Sequence, residues 1–371
     1  MRHKLRLGLI GCGGFGGTIG SYFLNLADIT ALCDLDSKAT AATARQLSLD
    51  VPRYVDYRRM LEKAQLDAVI IATINAVHAD ITVAAAEAGL HVFCEKAMAR
   101  TVPECWQMVR ACRKNNVRLM IGHKRRLRPP WARMIELTDD SLLGDVLSVT
   151  VAQYADLRPY NFSDNWWGDP ELSGGHFATH GVHVIDWFAA LCGRATKVSA
   201  YFGPQHKHAY KYPDIIHATY QFRSGALASV SSGMSFPLHE YRESQTPWAQ
   251  CRHGGFKLVP CIDHIDLYWQ RGDSRDIHHE RFDDLGFEHA FQLEAVDFVR
   301  WVTEDRKPCL TWIEGLRCVE MMEAAYRSAE KGGEVIELPL YPELETENEA
   351  NDPLPRSDVE GEKDCNGDQT V

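Results

Sequence analysis

The chain opens its fold with the stretch Leu5-Arg6-Leu7-Gly8-Leu9-Ile10-Gly11-Cys12-Gly13-Gly14-Phe15-Gly16. An apolar run enters a glycine-rich turn, and a segment of helical composition, Thr18 to Leu26, follows it. Glycine at position 11 permits a tight turn, glycine at 13 lets the backbone approach a pyrophosphate, and glycine at 16 lets the helix pack closely on the strand. The stretch predicts a dinucleotide-binding unit whose phosphates meet the N-terminus of the helix. Six residues of the turn are the predicted cofactor contacts: Gly11, Cys12, Gly13, Gly14, Phe15 and Gly16.

Asp34 follows the second apolar run, Ile29 to Cys33, about 20 residues past the glycine turn. A carboxylate at this place accepts hydrogen bonds from a ribose 2′-hydroxyl and repels a 2′-phosphate. The sequence therefore predicts NAD as the cofactor in preference to NADP. Lys38 and Arg45 lie nearby in the sequence and weaken that preference, because their charges favour a phosphate.

Strands and helices alternate from Arg6 to Ile121, which predicts a doubly wound parallel sheet of six strands. The run Ala68 to Ala72 is continuously apolar, as expected of a parallel strand that is covered on both faces. Thr101 and Glu104 form a capping-box signal before the last helix of this region. The first domain is predicted to span residues 1–122 as an α/β Rossmann domain.

A second domain is predicted over residues 123–342, with an α+β fold and a large, mainly antiparallel open sheet. Helices are expected at Glu288 to Trp301 and from Thr311 to Gly332-Gly333. They should cover one face of the sheet, and the other face should be buried in a homodimer or homotetramer. The acidic segment 343–371 is predicted to be disordered. The expected strands are Val146 to Tyr154, Lys197 to Phe202, Ile215 to Phe222 and Leu227 to Ser232.

Composition narrows the possible partners and locations. The sequence of 371 residues has a net charge of −11 and contains no basic stripe. This argues against nucleic acid and against an anionic membrane as main partners. Apolar runs of about 18 residues are absent, so we expect a cytoplasmic protein. The eleven cysteines form no C-x-x-C pair, which predicts reduced, mostly buried thiols and no metal site. His278 and His279 are predicted to lie in a surface loop.

Polar residues follow the fourth and fifth strands at the points where each strand ends. These are Thr73, Asn75 and His78 after the fourth strand, and Glu95 and Lys96 after the fifth. Ligands of open α/β sheets bind outside the carboxyl ends of the strands, so these side chains are predicted to contact the cofactor.

Over residues 5–340 the chain resembles the Gfo/Idh/MocA family of NAD(P)-dependent sugar and cyclitol oxidoreductases. Asn75 and His78 match the family's N-x-x-H, and the segment 95–97, Glu-Lys-Ala, matches its E-K-P with alanine in place of proline. Residues 122–126, Gly-His-Lys-Arg-Arg, resemble the family's G-F-N-R-R turn. Residues 174–186 resemble G-G-G-x-x-x-D-x-G-x-H-x-x-D.

The resemblance implies that Lys96 holds a reacting hydroxyl and that His183 takes its proton. Thr179 stands where many members of the family place an aspartate, so it is counted with Lys96, His180 and His183 among the predicted catalytic positions, although it gives His183 no carboxylate partner. Either His180 or a substrate hydroxyl could then share the proton path, and the assignment of the base between His180 and His183 stays open. Ala97 removes a proline that helps to hold the lysine loop in the family, which predicts a less rigid loop.

Further contacts are predicted from the second domain. Arg125 is expected to face the cofactor, while the predicted substrate contacts are Lys96, Arg126, Tyr154, Trp166, Trp167, Asp169, Thr179, His180 and His183. A tryptophan face covers the C–H side of a sugar ring, although both tryptophans fit a protein core equally well. The leading hypothesis is an NAD-dependent dehydrogenase of a sugar or cyclitol. The alternatives are an NAD-retaining glycosidase that works by oxidation and elimination, and a non-catalytic regulator that senses a dinucleotide or sugar.

Overall fold

The structure, a computed structural model, describes residues 4–155, 165–205, 210–234, 245–283 and 286–344. The chain divides into two compact units. The first comprises residues 1–124 and 288–316, and the second comprises residues 125–287 and 317–371. This division places residues 288–316 with the first unit, whereas the sequence-based division assigns them to the second domain. The predicted acidic tail lies almost wholly outside the described residues.

A six-stranded parallel sheet forms the centre of the first unit, with the strand order β3-β2-β1-β4-β5-β6. This confirms the predicted doubly wound sheet. The central strand β4 is buried along its whole length, as its continuous apolar run requires. The strands are β1 Arg6–Ile10, β2 Asp28–Cys33, β3 Arg53–Tyr54, β4 Ala68–Ile71, β5 His91–Glu95 and β6 Leu119–Gly122.

Short helices connect these strands, and local capping sets where several of them begin. Asp36 accepts from the backbone N–H of Lys38 at the start of α2, and Thr101 accepts from the N–H of Glu104 at the start of α5. The first helix begins at Gly14, directly after the glycine turn, rather than at Thr18. The helices are α1 Gly14–Phe23, α2 Ser37–Gln46, α3 Tyr57–Lys63, α4 His78–Glu87 and α5 Val102–Lys114.

The second unit contains a nine-stranded sheet within the described residues, in the order β14-β13-β12-β11-β7-β10-β9-β8-β15. All neighbours are antiparallel except β7 and β10. The predicted large, mainly antiparallel sheet is thus confirmed. Its strands are β7 Val146–Tyr154, β8 Ala195–Phe202, β9 Ile215–Phe222, β10 Leu227–Gly233, β11 Gln245–Cys251, β12 Gly254–Pro260, β13 Ile265–Arg271, β14 His278–Phe282 and β15 Ile336–Glu337.

One face of this sheet is buried and the other is exposed, because side chains alternate along each strand. In β9 the buried residues Ile216, Ala218 and Tyr220 alternate with the exposed residues His217 and Thr219. The remaining α-helices of the described residues are α6 Pro129–Glu136, α7 Pro170–Ser173, α8 Val182–Cys192, α9 Glu288–Glu304 and α10 Trp312–Glu330. Of these, α8 packs on β7 and β10.

Five strands of the second sheet, β11 to β15, were not predicted. The prediction of His278 and His279 as loop residues was wrong, since both lie on β14. Their rings stack on Trp269 and Tyr268 of the neighbouring strand, with centroid distances of 3.8 Å and 4.7 Å. The pattern was missed because β11 contains Pro247 and β12 begins with two glycines, which are residues that usually interrupt a strand.

Ten cysteines are free thiols in the described part of the chain, and eight of these are buried. The expectation of reduced, mostly buried cysteines is met for these ten residues. Among the described helices there is none whose length and hydropathy would allow it to cross a membrane.

Candidate active site

The glycine turn between β1 and α1 is shaped by two close backbone approaches. Gly11 has φ +92°, and a Cβ atom there would lie 2.4 Å from the carbonyl oxygen of Ala72. A Cβ atom on Gly16 would lie 1.9 Å from the carbonyl oxygen of Gly11, so the first turn of α1 can pack on the loop only with glycine. Gly13 differs, because an added Cβ would meet no described protein atom within 4 Å. Packing does not require glycine at 13, which fits a backbone that a pyrophosphate approaches.

Asp34 at the end of β2 is tied to the same loop. Its Oδ2 accepts from the backbone N–H of Cys12 at 2.7 Å, and its Oδ1 accepts from that of Asp36 at 2.9 Å. On the other side, the hydroxyl of Thr43 donates to the carbonyl oxygen of Cys12 at 2.9 Å. Asp34 therefore organises the loop itself and remains partly exposed. A contact of this carboxylate with a ribose stays a prediction.

His78, at the start of α4, is completely buried and joins two loops of the predicted site. Its Nδ1 lies 2.9 Å from the carbonyl oxygen of Ala97, and its Nε2 lies 3.3 Å from that of Thr73. Burial lowers the pKa of this imidazole below its usual range. The sequence predicted a cofactor contact for His78, whereas its contacts in the structure hold the loop after β4 against the loop after β5. Asn75 lies beside it in a short 3-10 turn and is also buried.

Lys96 follows the last residue of β5 and is partly exposed. Its backbone N–H donates to Oε2 of Glu95 at 3.2 Å, and the peptide bond between Lys96 and Ala97 is cis. Glu95 is only 3% exposed. Its carboxylate thus supports the lysine loop from inside the unit, and with the contact from His78 to Ala97 it determines where Lys96 is presented.

Lys124 belongs to the basic segment 124–128, whose side chains could bind a phosphate or a substrate anion or form a solvated turn, and in the structure it is buried. Its Nζ lies 3.8 Å from Oε2 of Glu95 and sits between two aromatic rings, 4.7 Å from the centroid of Phe15 and 4.6 Å from that of Phe291. Phe15 belongs to the glycine turn, and Phe291 belongs to α9. The charge of Lys124 therefore compensates the buried carboxylate of Glu95 and fixes the ring of Phe15 by a cation–π contact. A lysine in the G-H-K-R-R segment was the available sequence signal.

In the second unit, the predicted histidine segment begins with a π-helical turn, Phe177–Gly181, which runs directly into α8. Such turns occur often at functional sites because they displace side chains from the regular helical spacing. An added Cβ on Gly181 would lie 2.2 Å from a ring carbon of Phe177. Because of this short distance, the turn requires glycine at position 181. The backbone N–H of Phe177 also donates to the hydroxyl of Tyr326 at 2.6 Å.

Thr179, His180 and His183 occupy the turn and the start of α8. Thr179 is 7% exposed, and its hydroxyl lies 3.1 Å from the carbonyl oxygens of both Gly175 and His176. A hydroxyl that donates to its own turn has a structural role, so the structure gives no support to the predicted catalytic role of Thr179. His180 and His183 are both partly exposed.

A buried polar network behind the turn was missed by the sequence analysis. Gln153 of β7 donates from Nε2 to the carbonyl oxygen of His180 at 2.9 Å. Ser232, its registered partner on β10, donates to Oε1 of Gln153 at 3.2 Å, and Nε2 of His176 lies 2.8 Å from the Ser232 hydroxyl. Burial lowers the pKa of His176 to about 3, which keeps it neutral. The network holds the backbone that carries His180.

Arg125 and Arg126 have partners within the second unit. The guanidinium of Arg125 lies 5.1 Å from the ring centroid of Trp131 and 4.9 Å from that of Phe287. Arg126 forms a buried, two-pronged ion pair with Asp186 of α8, with Nε 3.0 Å from Oδ2 and Nη2 bound to Oδ1. Instead of reaching for substrate as predicted, Arg126 anchors the helix that carries His183.

The remaining predicted substrate contacts are arranged differently from the expectation. Trp166 and Trp167 lie in a 3-10 turn as an edge-to-face pair with centroids 5.8 Å apart. Trp167 packs on a buried aromatic cluster, which favours the core interpretation for that residue. Asp169 caps α7 and pairs with Lys211. Trp166 stays a candidate for substrate contact.

Tyr154 is separated from the histidines by the sheet. Successive residues of a strand point to opposite faces, and Gln153 points to the face on which α8 packs. The hydroxyl of Tyr154 instead bonds that of Ser231, which in turn lies 3.1 Å from Nε2 of His217 on the exposed face. The predicted substrate contact by Tyr154 is therefore not brought together with His180.

Comparison with known proteins identifies the family of this chain. Residues 5–123 match the family described as "Oxidoreductase family, NAD-binding Rossmann fold", and residues 131–255 match the "GFO/IDH/MocA C-terminal domain". A solved structure of levoglucosan dehydrogenase with NADH and levoglucosan superposes with a TM-score of 0.80, covering 90% of this chain and 99% of that one at 22% identity. At this identity the superposition shows a shared fold.

Two curated relatives illustrate the range of activities. D-xylose 1-dehydrogenase (NADP(+)) 2 of Haloferax volcanii is 27% identical over 334 residues, covering 89% of this chain and 99% of the relative. The 2,7-anhydro-N-acetylneuraminate hydratase of Escherichia coli (strain K12) is 28% identical over 243 residues. In that second alignment the chain spans 64% of the length of the relative. With both of its regions matched, the chain belongs to the Gfo/Idh/MocA oxidoreductase family.

Proposed function

We propose that the chain is an NAD-dependent dehydrogenase that interconverts a secondary ring hydroxyl and a ketone on a sugar, a sugar derivative or a cyclitol. The observation that carries this proposal is the position of Lys96. It follows β5 at the same edge of the parallel sheet at which the glycine turn follows β1, and Glu95 and His78 support its loop. A positioned cation at this edge suits a substrate oxygen that becomes negatively charged.

The residues present fit NAD. Gly11 and Gly16 allow the close turn, packing leaves Gly13 open to a phosphate, and Asp34 offers a carboxylate to a ribose. The negative charge of Asp34 favours NAD over NADP, although the xylose dehydrogenase relative is named for NADP. When bound, NAD supplies the acceptor for a hydride from the substrate carbon.

Lys96 and His183 handle the hydroxyl in this proposal. Lys96 donates a hydrogen bond to the reacting oxygen and stabilises it as its proton leaves. His183 accepts that proton at a ring nitrogen, while Arg126 and Asp186 hold the helix that carries it. His180, whose backbone is held by Gln153, is the alternative base. The carbon loses a hydride and the oxygen a proton, which leaves the ketone.

A second candidate is supported by the hydratase relative. Its name describes a reaction with water rather than a dehydrogenation, so members of this family are not restricted to net oxidation. An enzyme that oxidises a ring carbon, eliminates the substituent β to the new ketone, adds water to the resulting double bond and reduces the ketone again would use the same Lys96 and base. Such an enzyme releases a product from a glycoside and leaves the amount of NADH unchanged.

The test compares Lys96→Ala with Lys63→Ala, an exposed lysine on α3. A panel of sugars, inositols and glycosides is offered with NAD, and both NADH and released aglycone are measured. Lys96→Ala is expected to lower kcat by orders of magnitude with NADH binding nearly intact, because the lysine acts on the substrate oxygen. Wild-type turnover in Lys96→Ala would refute the mechanism. Aglycone release without net NADH would select the second candidate.

The base is identified by pH–rate profiles of His180→Ala and His183→Ala with one substrate. Loss of the rising limb of kcat/KM in His183→Ala supports the proposed assignment, because the base must be deprotonated to work. If the limb survives in His183→Ala and disappears in His180→Ala, the two roles are exchanged.

We also propose that the exposed face of the nine-stranded sheet is an oligomer interface. Large apolar side chains stand on it, with Tyr201 58%, Leu227 45% and Trp248 60% exposed. Their burial against a second copy would remove an apolar surface from water. Leu227→Glu and Trp248→Glu should shift the mass measured by light scattering towards the monomer, and an unchanged mass in both variants contradicts the proposal.

A further inference from the structure

The tight turn between β12 and β13 brings two metal-ligand residue types together. The turn consists of Cys261, Ile262, Asp263 and His264, and the backbone N–H of Cys261 donates to the carbonyl oxygen of His264 at 2.9 Å. Residues 261 and 264 therefore face each other at the end of the ladder, beyond the Pro260 and Ile265 pair. Residues that pair directly across two strands project to the same side of the sheet.

Asp266 joins them from the strand that follows. It is two positions after His264, and the period of two along a strand places both on one face. Ile265 and Leu267 point to the buried face, so the Asp266 face is the exposed one. The side chains of His264 and Asp266 are nevertheless only 17% and 13% exposed. The three residues form a sheltered cluster on the outer face of the sheet.

The distances within this cluster are slightly longer than those of an occupied metal site. One ligand atom from each of Cys261, His264 and Asp266 lies within 4.8 Å of the other two. The Asp266 Oδ2 atom is 3.4 Å from His264 Nε2 and 4.0 Å from Cys261 Sγ. Ligand atoms that each lie about 2.0–2.3 Å from a tetrahedral zinc ion are about 3.3–3.8 Å apart. Small side-chain movements would satisfy that geometry.

Groups outside the cluster hold its ligands in orientation. His264 Nδ1 lies 2.6 Å from Oδ1 of Asp263, which leaves Nε2 directed at Asp266. The second oxygen of Asp266, Oδ1, lies 2.8 Å from Nε2 of His279 on β14, whose ring stacks on Tyr268. A carboxylate on the far nitrogen of a histidine ligand is the usual outer support of a zinc site. Two of the three ligands therefore have the support that zinc sites have.

We propose that Cys261, His264 and Asp266 bind one Zn²⁺ ion, with a fourth position for water. Thiolate, imidazole and carboxylate together are the donor set that zinc takes in proteins, and calcium or magnesium would not accept the thiolate. The ion would clamp the β12–β13 turn on the outer face of the sheet. This site is independent of the proposed redox function, and it replaces the sequence-based prediction that no metal site is present.

The experiment uses the full chain, stripped with a chelator, desalted, and incubated with ZnCl₂. Zinc content after gel filtration is measured for wild type, Cys261→Ser, His264→Ala, Asp266→Asn and the control His253→Ala, an exposed histidine in the neighbouring turn. We expect wild type and the control to retain one more zinc ion per chain than the three cluster variants. Equal zinc content in all five proteins overturns the proposal.

A second measurement needs no variant. Alkylation of Cys261 by iodoacetamide is followed by peptide mass spectrometry with and without Zn²⁺, with the partly exposed Cys309 as the internal reference. Zinc should slow the alkylation of Cys261 at least tenfold relative to Cys309, because a coordinated thiolate is both shielded and less nucleophilic. An unchanged ratio overturns the proposal even if a cluster variant fails to fold.

A third measurement replaces Zn²⁺ by Co²⁺. A thiolate charge-transfer band is expected in the absorption spectrum of wild type and is expected to be absent in Cys261→Ser.

Discussion

Asp34 supports the glycine turn and is predicted to contact the cofactor ribose, and variants that separate these two roles test the choice of cofactor. In the structure its carboxylate accepts from the backbone N–H of Cys12 at 2.7 Å and from that of Asp36 at 2.9 Å. Asp34→Ser removes the charge and shortens the side chain, so both bonds are lost. Asp34→Asn removes the charge but keeps one carbonyl oxygen for Cys12. The two variants thus separate loop support from charge.

The expected magnitude follows from these contacts. A hydrogen bond to an ionised acceptor is worth about 1.5–3 kcal/mol, and partial exposure of Asp34 puts the loop contribution at the lower end. Loosening the loop should weaken the binding of NAD and of NADP to the same extent. Loss of the ribose contact affects NAD alone, and about 1.5–3 kcal/mol corresponds to a decrease of about 10- to 150-fold in kcat/KM for NAD. Removing the repulsion of a 2′-phosphate adds to the same change in preference.

The assay is the ratio of kcat/KM for NAD to that for NADP, together with fluorescence titration of NADH and NADPH. Asp36→Ala is the matched control, because Asp36 caps α2 through the N–H of Lys38 without facing the glycine turn. We expect the ratio to fall at least tenfold in Asp34→Ser and Asp34→Asn and to stay within threefold of wild type in Asp36→Ala. A ratio that moves less than threefold in both Asp34 variants would show that this carboxylate serves only the loop.

Three further predictions concern the second unit. The folded-state pKa of His176, about 3, lies below the usual value of about 6.5, so stability is fully present above pH 6.5 and falls by about 1.4 kcal/mol per pH unit below it until about pH 3. In His176→Gln the unfolding free energy, measured with urea between pH 6.5 and 4, should decrease less steeply with falling pH, by the contribution of one proton. An unchanged slope contradicts the assignment. Gly181→Ala should cost about 1–3 kcal/mol of unfolding free energy, since the added Cβ would lie 2.2 Å from a buried phenylalanine ring; wild-type thermal stability in that variant would refute the packing argument. Asp186→Leu should cost about 3–5 kcal/mol by leaving the charge of Arg126 buried, and Arg126→Met with Asp186→Leu should recover most of it in the same denaturation assay. If the double variant is as unstable as the single one, the buried charge is not the cause.

Local patterns were sufficient to predict the parallel sheet of the first unit. The β1 run, the glycine turn and Asp34 are read within a stretch of 30 residues, and their physical demands are local: a tight turn, a close helix, and an acceptor at a strand end. The continuous apolar runs of β4 and β5 indicate strands that are covered on both faces. For the same reason Lys96 could be placed at the carboxyl edge of the sheet from its position after β5.

The second sheet was predicted only where strands alternate clearly, as in β7, β9 and β10. In β11, which contains Pro247, the pairing with β7 decides the structure, and such pairing between distant segments leaves no local pattern. The cluster of Cys261, His264 and Asp266 lies within six residues, and only its contact with His279 depends on the pairing of β13 with β14.

For the candidate site, residue types and their order along the chain predict which segments carry the chemistry, and only the tertiary structure decided what each side chain contacts. His78 and Lys96 both follow strands of the same sheet, yet one is buried against the Ala97 carbonyl and the other is partly exposed. Gln153 supports the histidine turn, whereas Tyr154, the predicted substrate contact, lies on the other face of the sheet, because neighbouring residues of a strand face opposite sides. Burial and partner choice depend on residues far away in the chain, whereas turns, caps and strand ends are set by close neighbours.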